Sequence, residues 1–374
     1  MAVSSVTVPG TSGAVTLSLG TGDVLHLASQ IGALLSTVDG AGNLSVTTGT
    51  FAASIPGAPA PSGGTQSELI LSGTVGGSAT VPPGYAYVVD VASAPSTLSG
   101  SNLTLLAGTA GGSFNVTGQS TVAATGGNNL ITANGSYVIS SGPGNNTVAA
   151  TGIGTVATDN GSNLIFTSGL SDVLSGGQDT VVAGVGLTTV NASGSHSLIF
   201  GAGGSVGGLA VTLGGSQETV AAFNSNTTIT TTGSQNLVFG GVSAGTTLNV
   251  LDMGTNDTVA GLASPTTVTA GAGSSGLFVF GGTGGLTFVG GTTAATVLSG
   301  SGKNIIVGGT GGILDGSGGN DTVSGVAPGG ATLFGSAGNN LTYFGAGNLL
   351  YAAGAGNETL NAAGSSGTNT LVAS

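Results

Sequence analysis

The chain has 374 residues, 76 of them Gly, with no Cys, a single basic residue (Lys303) and a net charge of −12. Only 4% of its residues are charged, against about 25% in ordinary soluble domains. That excludes a nucleic-acid binder, which neutralises phosphates with Lys and Arg, and docking on an anionic membrane surface; the missing thiols exclude disulfides and most zinc chemistry.

The 39% of hydrophobic residues are too many for a disordered chain. Gly, Ser, Thr and Asn interrupt every apolar run, so no membrane insertion is expected. The start, "MAVSSVTVPG", has neither a basic nor an apolar leader region, so no secretory signal peptide is expected.

The first 96 residues read as a small β-rich N-terminal domain. Its prolines include Pro9, Pro56, Pro59, Pro61, Pro82, Pro83 and Pro95, and "PGAPAPSGG" (56–64) reads as a loop. Short strand patterns flank it at 14–19, 43–48, 68–73 and 85–91. The segment "VLHLASQIGALLSTV" (24–38) has helix-like apolar spacing and reads as a short helix or two strands.

From residue 97 onward the chain reads as one repeat domain. Short apolar strands such as "NLIT", "NTVA", "NLIF" and "DTVV" recur about every nine residues, separated by turn-forming Gly, Ser and Asn. Strands beginning Asn-Leu and strands beginning Asp-Thr, Asn-Thr or Glu-Thr alternate along the chain. An antiparallel sandwich also has short, evenly spaced strands. In-register repetition of the same tetrapeptides favours instead an all-β fold: a parallel, β-roll-like solenoid with two short strands in each coil of ~18 residues, coils stacked about 4.8 Å apart.

The stretch "GSGGNDTV" (316–323), with "GGQDTV" (176–181) and "GTNDTV" (254–259), resembles the RTX family of bacterial glycine-rich nonapeptide repeats. That resemblance implies a parallel β-roll, export by a type I system and folding on calcium outside the cell. Calcium takes six to eight oxygens, several of them carboxylate, and the residues that would supply them are Asp315 with Asp321, then Asp179 and Asp257. The chain departs from the family where Asn146 and Glu358 replace the aspartate. Asn129, Asn163, Asn236 and Asn340 hold similar places, so amide ladders along the stack are the expectation wherever the metal is lost.

Nothing in the composition gathers the titratable groups of an enzyme. His26 and His196 lie far apart, Asp172 and Asp179 read as solvated turn acids, and the Gly-rich strings lack the helix and Lys of a phosphate loop. Thr-rich strands such as "TTITTT" (227–232) leave an ice-binding solenoid as one alternative. The leading expectation is a secreted bacterial structural protein, similar to surface-layer proteins, that needs no cofactor and polymerises head to tail with itself. A monomeric calcium-responsive adhesin for carbohydrate or a cell surface is the other alternative.

Overall fold

The computed structural model of the chain describes residues 4–19, 23–51, 54–60, 63–202, 207–316, 321–325, 330–335, 340–343, 347–354, 359–361 and 366–372. It forms two compact units, residues 1–182 and 183–374. Both are parallel β-solenoids, and the described residues contain one helix.

The first unit opens with an antiparallel pair, β1 (Ser4–Val8) and β2 (Val15–Leu19). A single helix, α1 (Asp23–Gly40), follows, so the ambiguous apolar segment is a helix. Val24, Ala28, Ile31 and Leu35 recur at three- and four-residue steps and form its buried stripe. The helix ends because Gly42 adopts φ +71, which lets the Asn43 N–H reach the Val38 carbonyl at 3.0 Å.

The parallel ladder begins at β3 (Leu44–Thr50), which pairs in register with β4 (Gln66–Ser72). From β4 it continues through Tyr87–Asp90 and Thr104–Ala107 to Gly112–Ala124. The expected boundary at residues 96 and 97 therefore falls inside one sheet. The reason is that residues 44–96 already repeat the inward apolar column: Leu69, Val88, Leu105 and Val122 stack in successive coils, all buried.

On the other side of those strands, Ile70, Val89, Leu106 and Ala123 form a second column, and α1 with the β1–β2 pair packs against it. The N-terminal elements thus cover a flank of the coils. Without them this column of large apolar side chains would lie open to water, at a cost of about 25 cal/mol per Å2 exposed.

From residue 112 to 175 the coils tighten. The strands Gly112–Ala124, Asn129–Ser141, Thr147–Thr158 and Leu164–Ser175 each run across a bend without interruption. The bends stack Gly118, Gly135, Gly152 and Gly169, with φ of +73, +123, +123 and +113. A Cβ on Gly152 would lie 2.1 Å from the Gly135 carbonyl oxygen. Beside the bend, the ring of Tyr137 fills the space over Gly154, and its hydroxyl meets Ser171 Oγ at 2.5 Å, two coils on.

The second unit repeats the plan with shorter strands. One buried column runs Val190, Val211, Ile229, Val250, Val268 and Phe288. The facing column runs Ile199, Val220, Val238, Val259, Val279 and Val297. Branched apolar side chains at the same place in every coil leave little void, which is why so narrow a core suffices.

Gly152→Ala is expected to lower unfolding stability by at least about 2 kcal/mol, because it adds both positive-φ strain and a clash with fixed backbone. Gly42→Ala, at φ +71 with no atom near its Cβ position, should lose only about 1 kcal/mol. Urea unfolding of the two variants checks the difference.

Candidate functional site

The side chains with most chemistry in this molecule sit at the corners of the coil, just before a strand that starts Asn-Leu, Asn-Ile or Asp-Thr. In the first unit Asn129, Asn146, Asn163 and Asp179 occupy one such corner in consecutive coils, 16 or 17 residues apart, and all four are buried.

Each residue is bonded to the next by the same pair of hydrogen bonds. Asn129 donates its backbone N–H (3.0 Å) and its Nδ2 (2.8 Å) to Asn146 Oδ1. Asn146 does the same to Asn163 Oδ1, at 3.0 and 2.9 Å. Asn163 donates to Asp179 Oδ1, at 3.0 and 2.8 Å. The second Nδ2 hydrogen returns to the turn's own carbonyls, as from Asn146 to Gly142 at 2.9 Å. An amide both donates and accepts, so it passes the ladder on; a carboxylate only accepts, so it ends it.

The second unit has two further runs. Glu218 donates its N–H to Asn236 Oδ1 at 3.0 Å, and Asn236 donates its own to Asp257 Oδ1 at 2.8 Å. At the other corner of the coil, before the strands of the Val190 series, Leu286 donates to Asn304 Oδ1 at 2.9 Å, and Asn304 donates N–H and Nδ2 to Asp321 Oδ1 at 3.0 and 2.8 Å. All three runs end on an aspartate of the Asp-Thr-Val motif. A hydroxyl from the preceding coil braces two of them: Thr158 Oγ1 to Asp179 Oδ2 at 2.8 Å, and Ser299 Oγ to Asp321 Oδ2 at 2.9 Å.

This placement bears on calcium. At Asp179 and Asp321 both carboxylate oxygens already accept N–H or O–H hydrogen bonds from the protein, so they act there as acceptors that close the ladder. Asp315 stands elsewhere, half-buried on the strand Gly312–Asp315 between Leu298 and Phe334 of the adjacent coils. No group of three or more acids or histidines is placed to hold a metal among the described residues. The turn residues 317–320 of the best motif match, and Glu358, lie outside those residues, as does the Asn340 side chain.

Four buried carboxyls, Asp252, Glu218, Glu68 and Asp90, were not singled out from sequence, because their burial comes from coil stacking, and at Glu68 from α1 as well. Asp252 ends the strand Leu248–Asp252 and faces Asp257 across the same turn. It accepts from Thr231 Oγ1 at 2.6 Å and from Ser274 Oγ. Burial, then the hydrogen bond to Asp252, push the Asp257 carboxyl up to about 7. Burial pushes Glu218 up to about 8; a backbone hydrogen bond from Gly215 lowers it in part, and the Asp257 charge raises it further. Glu68, on the flank of the sheet that faces α1, is pushed up to about 7 by burial and by Asp39.

Other expected positions are ordinary. His196 is an exposed turn residue at φ +64, one of a series of left-handed positions with Gln217, Gln235 and Asn256. His26 lies on the exposed face of α1, its Nε2 3.0 Å from Gln30 Nε2. Asp172 points outward while Asp179 is buried, so the two do not form an acid pair. Outward threonines come in pairs, Thr228 with Thr230 and Thr267 with Thr269, but Asn249 and Leu251 stand between them. No family model, curated protein or solved structure matches this chain.

The raised carboxyls set a pH dependence. In the unfolded chain Glu218 and Glu68 ionise near their ordinary 4.5, but in the fold only near 8 and 7. Between those values the unfolded state holds fewer protons, so stability is full below about pH 4.5 and falls as pH rises toward 8. Glu218→Gln should flatten the upper part of that decline in urea unfolding measured from pH 4 to 9.

Proposed function

We propose that this chain is a secreted structural protein that assembles end to end with copies of itself into extracellular fibres or a surface layer. The observation that carries the reading is the register of the coil stack. Every coil pairs with the next through the same parallel ladder, and the outermost strand, β3, pairs with β4 on one edge and with no strand on the other among the described residues. Such an edge is a template for a strand of another chain. A heterologous contact of that kind repeats without closing and yields a filament.

The near absence of charge supports the same reading, since stacked copies then bury few unpaired ions. The bacterial and secreted parts of the proposal rest on the resemblance of the repeat to RTX sequences. At Asp179 and Asp321 protein donors meet both carboxylate oxygens, so assembly is expected without calcium.

Electron microscopy of the purified protein, with calcium and with a chelator, tests this directly. Fibres or sheets under both conditions are the expected result. Separate short rods under both would overturn the proposal, and fibres only with calcium would overturn its metal-independent part.

A further inference from the structure

One surface pattern of the second unit serves neither the core nor the corner ladder. On the face that carries the Ile199 column, the outward residues change size from coil to coil. Leu198 with Phe200, Leu237 with Phe239, and Phe278 with Phe280 project from every second coil. Thr219 with Ala221 and Thr258 with Ala260 project from the coils between. The first of these columns keeps alternating through Thr296, Ile313, Thr332 and Leu350. In the second column the alternation inverts after Phe280: Leu298 and Phe334 stand beside Thr296 and Thr332, and Asp315 and Ala352 beside Ile313 and Leu350.

Core packing does not require this alternation. The inward neighbours Ile199, Val220, Val238, Val259 and Val279 are all buried and nearly uniform in size. The effect of the alternation is on the outside. Coils about 4.8 Å apart turn it into apolar ridges about 9.6 Å apart, with Thr-Ala grooves between them. Farther along the same face, a hollow of about 600 Å3 lies over Thr332 between Ile313 and Leu350.

We infer that this face pairs with the same face of a second copy, the ridges of one seated in the grooves of the other, one coil out of step. A partner must present bulky rows at the same two-coil period, and this chain does so itself. The charge pattern agrees: in these rows Asp315 is the one ionisable side chain, so two copies of net charge −12 meet without burying a set of like charges. The area is adequate for a weak pair. Nine coils about 4.8 Å apart and a strip roughly 12 Å wide give on the order of 500 Å2 per copy, or about 1,000 Å2 for the pair, the lower limit of a specific interface. Such a contact gains strength when many copies are already aligned, as in a dry interdigitated sheet interface.

This inference rests on the self-assembly reading, but the two fail separately. The test fills a groove: Thr258→Leu combined with Ala260→Phe turns a groove row into a ridge, at outward positions that leave the core intact. A merely sticky surface would associate more strongly with that added apolar area. Interdigitation predicts the reverse, at least tenfold weaker pairing in sedimentation velocity and single filaments in place of laterally paired ones by electron microscopy. Far-ultraviolet circular dichroism and melting temperature confirm that the variant is folded; the ridge-flattening variant, Leu237→Thr with Phe239→Ala, should weaken pairing as well. Pairing unchanged or strengthened by groove filling overturns the inference and leaves end-to-end assembly standing. Paired wild-type chains that separate on groove filling but never form filaments keep the face and overturn end-to-end assembly. A wild-type chain that stays monomeric at every concentration overturns both.

Discussion

A stack of short coils must turn the backbone twice per coil, and each turn brings polar groups into a space that the next coil closes off from water. The corner ladder answers that constraint. In the first unit one amide side chain per coil takes the N–H and Nδ2 hydrogens of the coil before and passes its own to the coil after. Each such group, left unmet, would cost about 1–3 kcal/mol, which is comparable to the gain from burying one Val or Leu. The apolar columns supply most of the driving force, but they are nearly uniform along the stack and would tolerate a slip of register. The ladder, with its fixed donor and acceptor sense, does not.

The composition follows from the same constraint. Backbone approaches backbone so closely at the bends that a Cβ has no room, as at Gly152. Asparagine serves where the ladder must continue and aspartate where it stops. Charge is scarce because the buried corners can hold carboxyls only as acceptors or in protonated form. Where two meet, at Asp252 and Asp257, burial raises the proton affinity of Asp257. The result is a molecule whose coil stack is least stable in alkali.

Much of this was readable in the sequence. The recurring Asn-Leu and Asp-Thr starts of the first unit lie on successive coils of one face, as the register of Leu130, Thr147 and Leu164 shows, and the expected amide ladder is present; Ile305 and Thr322 carry the pattern on the opposite strand series. Three features were not readable, for physical reasons. Residues 44–96 join the solenoid through register, which the irregular, proline-bearing loops conceal. The burial of Glu68 depends on α1 packing over the strand, a contact between segments far apart in sequence. Asp179 and Asp321 keep the residue of a calcium repeat, yet the donors around them come from the preceding coil, and only the stacked structure shows that those oxygens are already in use.

The ladder is the central claim, and Asn146→Leu tests it most directly. The substitution keeps the branched four-atom outline of the side chain and adds apolar surface at a buried site, so a stack held by apolar packing alone would be little affected or gain stability. If the ladder holds the coils in register, the Asn129 donors and the turn carbonyls lose their partners. Equilibrium urea unfolding should then show a loss of at least about 2 kcal/mol, with faster amide hydrogen exchange in the strands on either side of residue 146. Unchanged or increased stability would contradict the account.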